Sequence, residues 1–245
     1  MIVKLIAHTS LSENFINELV EAEKSALQMH ATDGQMVALS AIRTCYSPNK
    51  PSEIVALEGE KYFKGKATDG GAGNDADRLI RHIVKSGHVS TLEHLTFTFS
   101  VEGVSRALLS QLTRHRVGLS FSVQSQRYVK QSSDSKHGGF DYVVPQKVID
   151  KGFAHMFDGY MANIQAMYDQ MIAWGVPQED ARAVLPQCAT CNLVLTINLR
   201  ALLDFYAKRM KGKGAQHEIT QLAEKLKAGA TEVEPWIESF FGGTK

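Results

Sequence analysis

The chain has 245 residues, of which 44% are hydrophobic and 22% are charged, a balance that is typical of a globular protein and argues against a disordered or fibrous one. No apolar run approaches the roughly 20 residues that a membrane-spanning helix needs. The 27 basic and 26 acidic residues leave a net charge of +1, so the chain lacks the broad positive field that attracts nucleic acid.

The first third of the chain predicts a strand, a helix and a long loop. The apolar start over residues 1–8 indicates a strand, and it becomes polar too soon for a secretory signal. Residues 12–29 carry apolar side chains at helical spacing behind Ser12, a residue type that caps helices, which predicts a first amphipathic helix. Residues 47–73 hold two prolines and five glycines and predict a loop that contains at most a short element.

The middle of the chain predicts a helix, a strand and a second helix in succession. A helix that begins at Asn74 or Asp75 is expected to end at Gly87, because glycine readily adopts the left-handed conformation that closes many helices. Strict alternation of apolar and polar residues over 95–101 predicts a half-buried strand, and 104–113 returns to helical spacing.

The second half predicts an extended stretch over 117–129 and a surface loop over 131–139. It also predicts a long helix over 147–174, a strand over 193–197, and helices over 199–206, 216–228 and 231–241. Because helices and isolated strands do not alternate regularly, an α+β fold is favoured over a doubly wound parallel sheet. Neither a Gly-x-Gly-x-x-Gly nor a Gly-Lys-Ser/Thr motif is present, so Rossmann and P-loop sites are not indicated.

Three arginines, Arg114, Arg116 and Arg127, lie within fourteen residues and are interspersed with glutamines and serines. Guanidinium groups keep their charge and offer paired donors, so such a cluster suits a phosphate or pyrophosphate. A solvated basic turn at a helix C-terminus explains the same residues, and residue types alone do not decide between the two. We expect the pKa of His115, placed between two arginines, to be lowered by like-charge repulsion.

The motif Arg114-His115-Arg116, followed after a spacer by Ser125-Gln126-Arg127-Tyr128, resembles the signature of the flavin-dependent thymidylate synthases. The neighbouring segments resemble that family as well, namely residues 87–94 with the strand that follows, Gln111, and residues 181–186 and 196–209. The resemblance spans about residues 40–220. It implies a single catalytic domain over 1–245, with mixed helices around a mainly antiparallel sheet.

This resemblance implies the reductive methylation of dUMP to dTMP, with FAD as the cofactor. Methylenetetrahydrofolate would give the carbon and reduced flavin the hydride, after NADPH has reduced the flavin. The resemblance also implies a homotetramer with active sites shared between subunits. Apart from the resemblance, a cytoplasmic location is expected by default, because the sequence shows neither a secretory signal nor a membrane-spanning run. The enzyme would bind these small molecules, and the neutral overall charge and the missing apolar span predict that it binds neither nucleic acid nor membranes.

The same resemblance implies roles for individual residues. The catalytic candidates are Arg209, which would stabilise charge on the uracil carbonyls, and Gln111, which would orient the substrate. The substrate-binding candidates are Gln111, Arg114, Ser125, Gln126, Arg127, Arg182 and Arg209. The cofactor-binding candidates are His88, Ser90, Arg114, His115, Arg116, Asn198, Arg200 and Asp204.

Two regions depart from the family's pattern. The spacer over 117–124 has eight residues where seven are expected, which predicts a one-residue bulge between Val117 and Ser122. Val123 stands where an acidic or amide residue is common, and Asp204 stands where asparagine or histidine is expected.

A structural role is favoured for the Cys-x-x-Cys pair among the three cysteines. Cys188 and Cys191 form a Cys-x-x-Cys pair, but a zinc site needs two further ligands at suitable spacing, and Cys45 alone is a poor partner. An odd and small set of cysteines indicates reduced thiols rather than a disulfide framework.

No metal ligand is predicted, and the tryptophans are expected to anchor the core. His82, His88 and His94 are spaced by six residues, which fits neither one helix face nor a strand, and no His-Glu-x-x-His motif occurs. Trp174 and Trp236 have apolar neighbours, so we expect both to be buried.

Two other functions are weighed against the enzyme hypothesis. A non-catalytic nucleotide- or RNA-binding module could use the same arginines, but it predicts a wider basic surface with interleaved aromatics than the neutral overall charge favours. A thiol-dependent thymidylate synthase needs a nucleophilic cysteine in a Pro-Cys-His setting, and none of the three cysteines has that context.

Overall fold

The computed structural model describes residues 1–24, 27 and 30–242. Four strands lie in these ranges: β1 (Ile2–His8), β2 (Thr96–Ser105), β3 (Leu119–Val123) and β4 (Thr190–Asn198). Ten α-helices lie there too: α1 (Glu13–Glu21), α2 (Asp33–Thr44), α3 (Ile54–Lys64), α4 (Asp75–Lys85), α5 (Arg106–Leu112), α6 (Gln146–Asp150), α7 (Ala154–Ala173), α8 (Gln178–Ala181), α9 (Leu199–Arg209) and α10 (His217–Val233). Short 3₁₀ helices span Val89–His94, Arg182–Val184 and Pro235–Phe240.

The strands form one antiparallel sheet in the order β1-β2-β4-β3, which confirms the predicted α+β class. Alternation in β2 puts Phe97, Phe99 and Val101 on one face, and each of them is almost fully buried. Thr98 lies on the opposite face, where its hydroxyl is 3.0 Å from that of Thr196 on β4. The apolar face of the sheet is therefore the one that the sequence predicts, because side chains alternate between the two faces along a strand.

Helices α5, α9 and α10 pack on the apolar face of the sheet and form the main core with it. Large side chains such as Phe205 and Leu222 are fully buried there. Each side chain of this size stabilises the fold by about 1.5–3 kcal/mol through the apolar surface it removes from water. This core fixes the ends of α5, α9 and α10 relative to one another, and the candidate site lies at those ends.

A second apolar cluster joins α2, α3 and α4, and it corrects the prediction of a loop over 47–73. Helix α3 occupies eleven residues of that range and buries Ile54 and Phe63. Gly59 lies inside α3 for a packing reason, because a Cβ at this position would come within 2.9 Å of the Leu27 side chain. The glycine that suggested a loop instead allows a close approach within a helix.

Helix α4 begins and ends where the sequence predicts. The Asn74 side chain accepts a hydrogen bond from the Asp77 amide, and the Asp77 side chain accepts one from the Asn74 amide, which forms a capping box. Gly87 follows the helix with a φ of 84°. The Ser12 cap of α1 is also confirmed, but α1 ends at Glu21 rather than at residue 29. Of the predicted remainder, residues 25, 26, 28 and 29 lie outside the described ranges.

Two predictions about helices in the second half of the chain are wrong. The helix predicted over 147–174 is divided into α6 and α7, with Gly152 between them at a φ of 75°. Conversely, α10 continues through the gap predicted between residues 228 and 231. Gly229 sits in that gap, and a Cβ there would come within 2.9 Å of the Phe99 ring, so the glycine lets α10 lie close to the sheet.

Three smaller expectations are also corrected. The extended stretch of 117–129 is a strand only over 119–123, where its pairing with β4 runs in regular register without the predicted bulge. The irregular residue is Gly118, just before the strand, with a φ of 74°.

Trp174 is 74% exposed and does not anchor the core, whereas Trp236 is half-buried against it. None of the helices in the described residues has the length and apolar character to span a membrane.

Candidate active site

The end of α9 and the segment after α5 bring three candidate residues together. Arg209 Nε donates a hydrogen bond to His115 Nε2 at 3.1 Å, and Arg209 Nη2 donates to the Gln111 carbonyl oxygen at 3.4 Å. The His115 ring packs edge-on against Phe205, with 5.0 Å between the ring centroids. The Arg209 guanidinium is thus held between the His115 imidazole and the backbone carbonyl of Gln111.

His115 is held as a neutral ring. Burial lowers its pKa from the usual 6.5, and the positive charges of Arg209 and Lys208 lower the pKa further. The direction matches the prediction, but Arg114 contributes less to the lowered pKa than burial and Arg209 do. Because Arg209 donates to Nε2, the ring proton lies on Nδ1.

The Gln111 side chain is hydrogen-bonded to Gln216, the residue that immediately precedes α10. Its Nε2 donates to Gln216 Oε1 at 2.5 Å and to the Ala107 carbonyl oxygen at 3.4 Å. Gln216 lines a cavity of about 750 Å³ that is bounded by the ends of α5 and α10, the segment 143–147 and helix α7. The amide of Gln111 therefore has a defined orientation beside a cavity.

The two arginines that flank His115 are exposed, and neither forms an ion pair within the described residues. In residues 1–24, 27 and 30–242, no carboxylate lies within ion-pair distance of Arg114 or Arg116. Two guanidinium groups without internal partners are available to an anionic ligand.

A second group of candidates lies around Glu179. The Glu179 carboxylate accepts from Arg127 Nε at 3.1 Å and lies 3.0 Å from Arg127 Nη2, and the Glu179 carbonyl accepts from Arg182 Nε at 2.9 Å. The Ser125 hydroxyl accepts from the Arg127 amide at 3.2 Å, and the neighbouring Gln126 has a buried Nε2 for which the described structure provides no partner. A ligand phosphate could replace the Glu179 carboxylate in this group.

The groups around Glu179 and Arg209 belong to separate hydrogen-bond networks in the described part of the chain. Among the described residues, no hydrogen bond or ion pair joins Arg127 or Arg182 to the group around Arg209. The sequence motif places Arg127 close to Arg114 in the chain, yet the fold separates their surroundings.

A third group lines a cavity of about 530 Å³ between α9 and the C-terminal 3₁₀ helix. Arg200 and Asp204 contribute its polar wall, and Leu203 and Phe240 contribute apolar surface. Arg200 is ion-paired with Glu93, and Asp204 is 2.7 Å from Lys208. Arg200 and Asp204 are both already in exposed ion pairs. A ligand that used either side chain would have to displace its ion-pair partner.

The remaining cofactor candidates lie around the start of α9 and the turn after α4. Asn198 caps α9, because its Oδ1 accepts from the Ala201 amide at 2.9 Å, and its own amide donates to the Gly118 carbonyl. His88 is exposed and its Nδ1 lies 2.6 Å from the Tyr46 hydroxyl. Ser90 is exposed on the adjacent 3₁₀ helix.

Three partners in these groups were missed by the sequence analysis: Gln216, Glu179 and Tyr46. Each contacts a candidate that lies far from it in the chain, and 105 positions separate Gln111 from Gln216. Gln216 immediately precedes α10, and a glutamine at a helix start carries no chemical signal by itself. Only the contact identifies it.

Cys188 and Cys191 occupy structural positions, whereas Cys45 is exposed. Cys191 is buried on β4 with its Sγ 3.6 Å from the Val104 carbonyl oxygen, and the Cys188 Sγ lies 3.5 Å from the Met161 sulfur. Burial raises the pKa of both thiols, which makes them poor nucleophiles. In the part of the chain that the structure describes, no group of three or more His, Cys, Asp or Glu side chains is arranged to hold a metal ion.

Comparisons with known proteins agree on one family. The sequence model of the family described as "Thymidylate synthase complementing protein" matches residues 26–236. A flavin-dependent thymidylate synthase of Nitratidesulfovibrio vulgaris is 42% identical over 173 residues, which cover 67% of each chain. Its counterpart from Geobacter sulfurreducens is 36% identical over 215 residues, which cover 87% of this chain and 84% of the relative.

The fold is shared with a solved structure. The flavin-dependent thymidylate synthase from Helicobacter pylori, complexed with FAD and dUMP, superposes with a TM-score of 0.63. The match covers 98% of this chain and 99% of that one, at 22% sequence identity.

Proposed function

Because the chain belongs to the flavin-dependent thymidylate synthase family, we propose that it converts dUMP to dTMP by reductive methylation with FAD as the cofactor. The observation that carries the proposal is the group of Arg209, His115 and Gln111, in which the guanidinium is held by the His115 ring and the Gln111 backbone carbonyl, while the Gln111 side chain is hydrogen-bonded to Gln216 at the edge of a cavity. Family membership favours this activity over a non-catalytic nucleotide- or RNA-binding module.

Arg209 has the chemistry that the uracil ring requires. Uracil C5 is a weak nucleophile, and it becomes a stronger one when the ring carries negative charge that is delocalised onto its carbonyl oxygens. Hydrogen-bond donors that are already fixed where this charge develops stabilise it without reorganisation. His115 and the Gln111 carbonyl occupy Arg209 Nε and Nη2, which orients the guanidinium and leaves other N–H groups for the substrate. Gln111 and Arg114 complete this part of the nucleotide site.

The residues present fit FAD. Arg114 and Arg116 are exposed and have no carboxylate partner in the described residues, as a pyrophosphate site requires. The cavity beside Arg200 and Asp204 adds an apolar wall that suits a planar ring. His115, Asn198, Ser90 and His88 are the further cofactor-binding residues that we propose. When it is bound and reduced, the flavin supplies the hydride.

The substrate phosphate is assigned to the group around Glu179. Arg127 and Arg182 supply guanidinium donors there, and Ser125 and Gln126 supply smaller polar groups. Because Glu179 already occupies Arg127, phosphate binding must displace an exposed ion pair, which costs at most about 1 kcal/mol.

The assembly and the co-substrates belong to the same proposal. Methylenetetrahydrofolate gives the carbon, and NADPH reduces the flavin. A homotetramer with shared sites belongs to this proposal through the family resemblance, and it is compatible with the separate hydrogen-bond networks of Arg127 and Arg209 within one chain. We also infer one catalytic domain over 1–245, since Leu79 packs against both large apolar clusters. A cytoplasmic location is supported by three free thiols.

The test is spectroscopic and chemical. Purified protein is mixed with FAD, freed of excess cofactor and examined for flavin absorbance, and it is then assayed for dTMP formation from dUMP, methylenetetrahydrofolate and NADPH. The expected result is bound flavin and dTMP that depends on all three substrates. Protein that is folded but neither retains flavin nor forms dTMP would overturn the proposal.

A further inference from the structure

The Ala107 carbonyl oxygen fixes the orientation of two side-chain amides. A carbonyl oxygen can only accept hydrogen bonds, so the group that Gln111 presents to it must be the NH₂ group. The same NH₂ group donates to Gln216, which must therefore present its oxygen. Among the hydrogen bonds of the described residues, none uses the Gln111 Oε1 or the Gln216 NH₂ group. One acceptor and one donor thus remain available side by side.

This pair is held by the helices that carry it. Glu218 on α10 accepts hydrogen bonds from the Ser105 amide at 2.8 Å and the Ser105 hydroxyl at 2.5 Å, at the start of α5. Thr220 donates to the Arg209 carbonyl at 2.9 Å. Gln216, which precedes α10, is therefore placed relative to both Gln111 and Arg209, and it lines the 750 Å³ cavity.

We propose that Gln216 determines specificity for uracil: together with Gln111 it presents an acceptor and a donor to the imide edge of the base. Uracil offers an N3–H donor between the O2 and O4 carbonyl acceptors, so Gln111 Oε1 would accept from N3 and Gln216 Nε2 would donate to O4. The other carbonyl is left to Arg209. The inference rests on the proposed function, because it takes dUMP to be the substrate.

The same pair discriminates against cytosine. Cytosine has an unprotonated N3, which accepts, and an amino group at C4, which donates, so its pattern at N3 and C4 is the reverse of that of uracil, whereas O2 accepts in both bases. A cytosine nucleotide would put acceptor against acceptor and donor against donor. A site whose polar groups are left unpaired by the wrong ligand rejects it more strongly than a site that relies on shape.

Two substitutions distinguish recognition of the base by Gln216 from a purely structural role, in which Gln216 only connects α10 to Gln111 on α5. Gln216→Leu removes both the oxygen that orients Gln111 and the donor for the base. Gln216→Glu keeps an oxygen for the Gln111 NH₂ group but replaces the donor by an acceptor, which repels a uracil carbonyl and attracts the amino group of cytosine. A link between helices makes no distinction between the two bases.

The experiment measures equilibrium binding of dUMP and of dCMP to the FAD-loaded enzyme and its variants. We expect Gln216→Leu to weaken dUMP binding about three- to ten-fold, the effect of one hydrogen bond, and to reduce the preference for dUMP over dCMP by a similar factor. Gln216→Glu is expected to reduce the preference further. Gln170→Leu, at an exposed position of α7, is the matched control and should bind both nucleotides as the wild type does.

Two results would overturn the inference. The first is an unchanged preference for dUMP in both Gln216 variants, with flavin still bound. The second is an equal loss of affinity for dUMP and dCMP, which would show that Gln216 only supports the fold of the site. If the wild-type holoenzyme binds no dUMP, the proposed function itself fails, and the role of Gln216 fails with it.

Discussion

Arg209 Nε lies 3.1 Å from His115 Nε2, although 94 positions separate the two residues in the chain. The contact requires an unprotonated Nε2, because an imidazolium would offer a donor and a second positive charge to the guanidinium. Burial and the charge of Arg209 lower the pKa of His115, so the neutral ring that accepts from Arg209 is the stable form at neutral pH.

Activity is therefore expected to fall at acid pH through protonation of His115. The pKa of this ring in the folded protein lies below 6.5, so its contribution to stability is present above pH 6.5 and is lost as the pH falls through the lowered pKa. The measurement is the pH dependence of kcat/KM for dTMP formation. His115→Phe keeps the packing against Phe205 but cannot titrate, and we expect about ten-fold lower activity without this acid limb. An identical acid limb in the two proteins would contradict the assignment.

Arg209→Ala is expected to abolish most of the chemistry while the flavin stays bound. Loss of one fixed donor to a developing oxyanion lowers kcat by about 10²–10³-fold in other enzymes. The measurement is single-turnover dTMP formation together with the flavin absorbance of the purified variant. Lys211→Ala, an exposed position just beyond α9, serves as the control for a nearby lost charge. Wild-type turnover in Arg209→Ala would remove this residue from the mechanism.

Glu179→Gln is expected to strengthen dUMP binding, in contrast to Arg127→Ala. If Arg127 binds the substrate phosphate as we propose, the Glu179 carboxylate competes with that phosphate, and an exposed ion pair of this kind is worth about 0.2–1 kcal/mol, or at most about five-fold in affinity. Binding is measured by titration of the FAD-loaded enzyme at low and high salt. The idea is wrong if Glu179→Gln and Arg127→Ala change the affinity in the same direction.

Two glycines in helices are expected to respond oppositely to alanine. In Gly229→Ala the new methyl group would come within 2.9 Å of the Phe99 ring, and overpacking of this kind costs about 1–3 kcal/mol. In Gly159→Ala, on α7, no atom of the described residues beyond the adjoining helix backbone lies within 4 Å of the new methyl group, so the higher helix propensity of alanine should stabilise the protein by up to about 1 kcal/mol. Urea unfolding of both variants checks the prediction, which a stabilised Gly229→Ala would refute.

Several features followed from the sequence because they depend on neighbouring residues. The Asn74 cap and Gly87 bound α4 through contacts within a few positions, and the alternation over 95–101 predicts the buried face of β2. The motif of residues 114–128, read as a resemblance, led to the family before any contact was known.

The tertiary structure alone decided which of the motif's residues lie together. Arg209 and Gln216 reach His115 and Gln111 because α9 and α10 pack on one face of the sheet, whereas Arg127 is directed to Glu179 instead. Glycines at 59 and 229 could not be assigned to helices from the sequence, because the reason for a glycine there is the close approach of a residue distant in the chain. Local sequence patterns predict features that depend on nearby residues in the chain, such as helix caps and strand faces. The geometry of this site is set by contacts across about 100 positions, which only the packed core specifies.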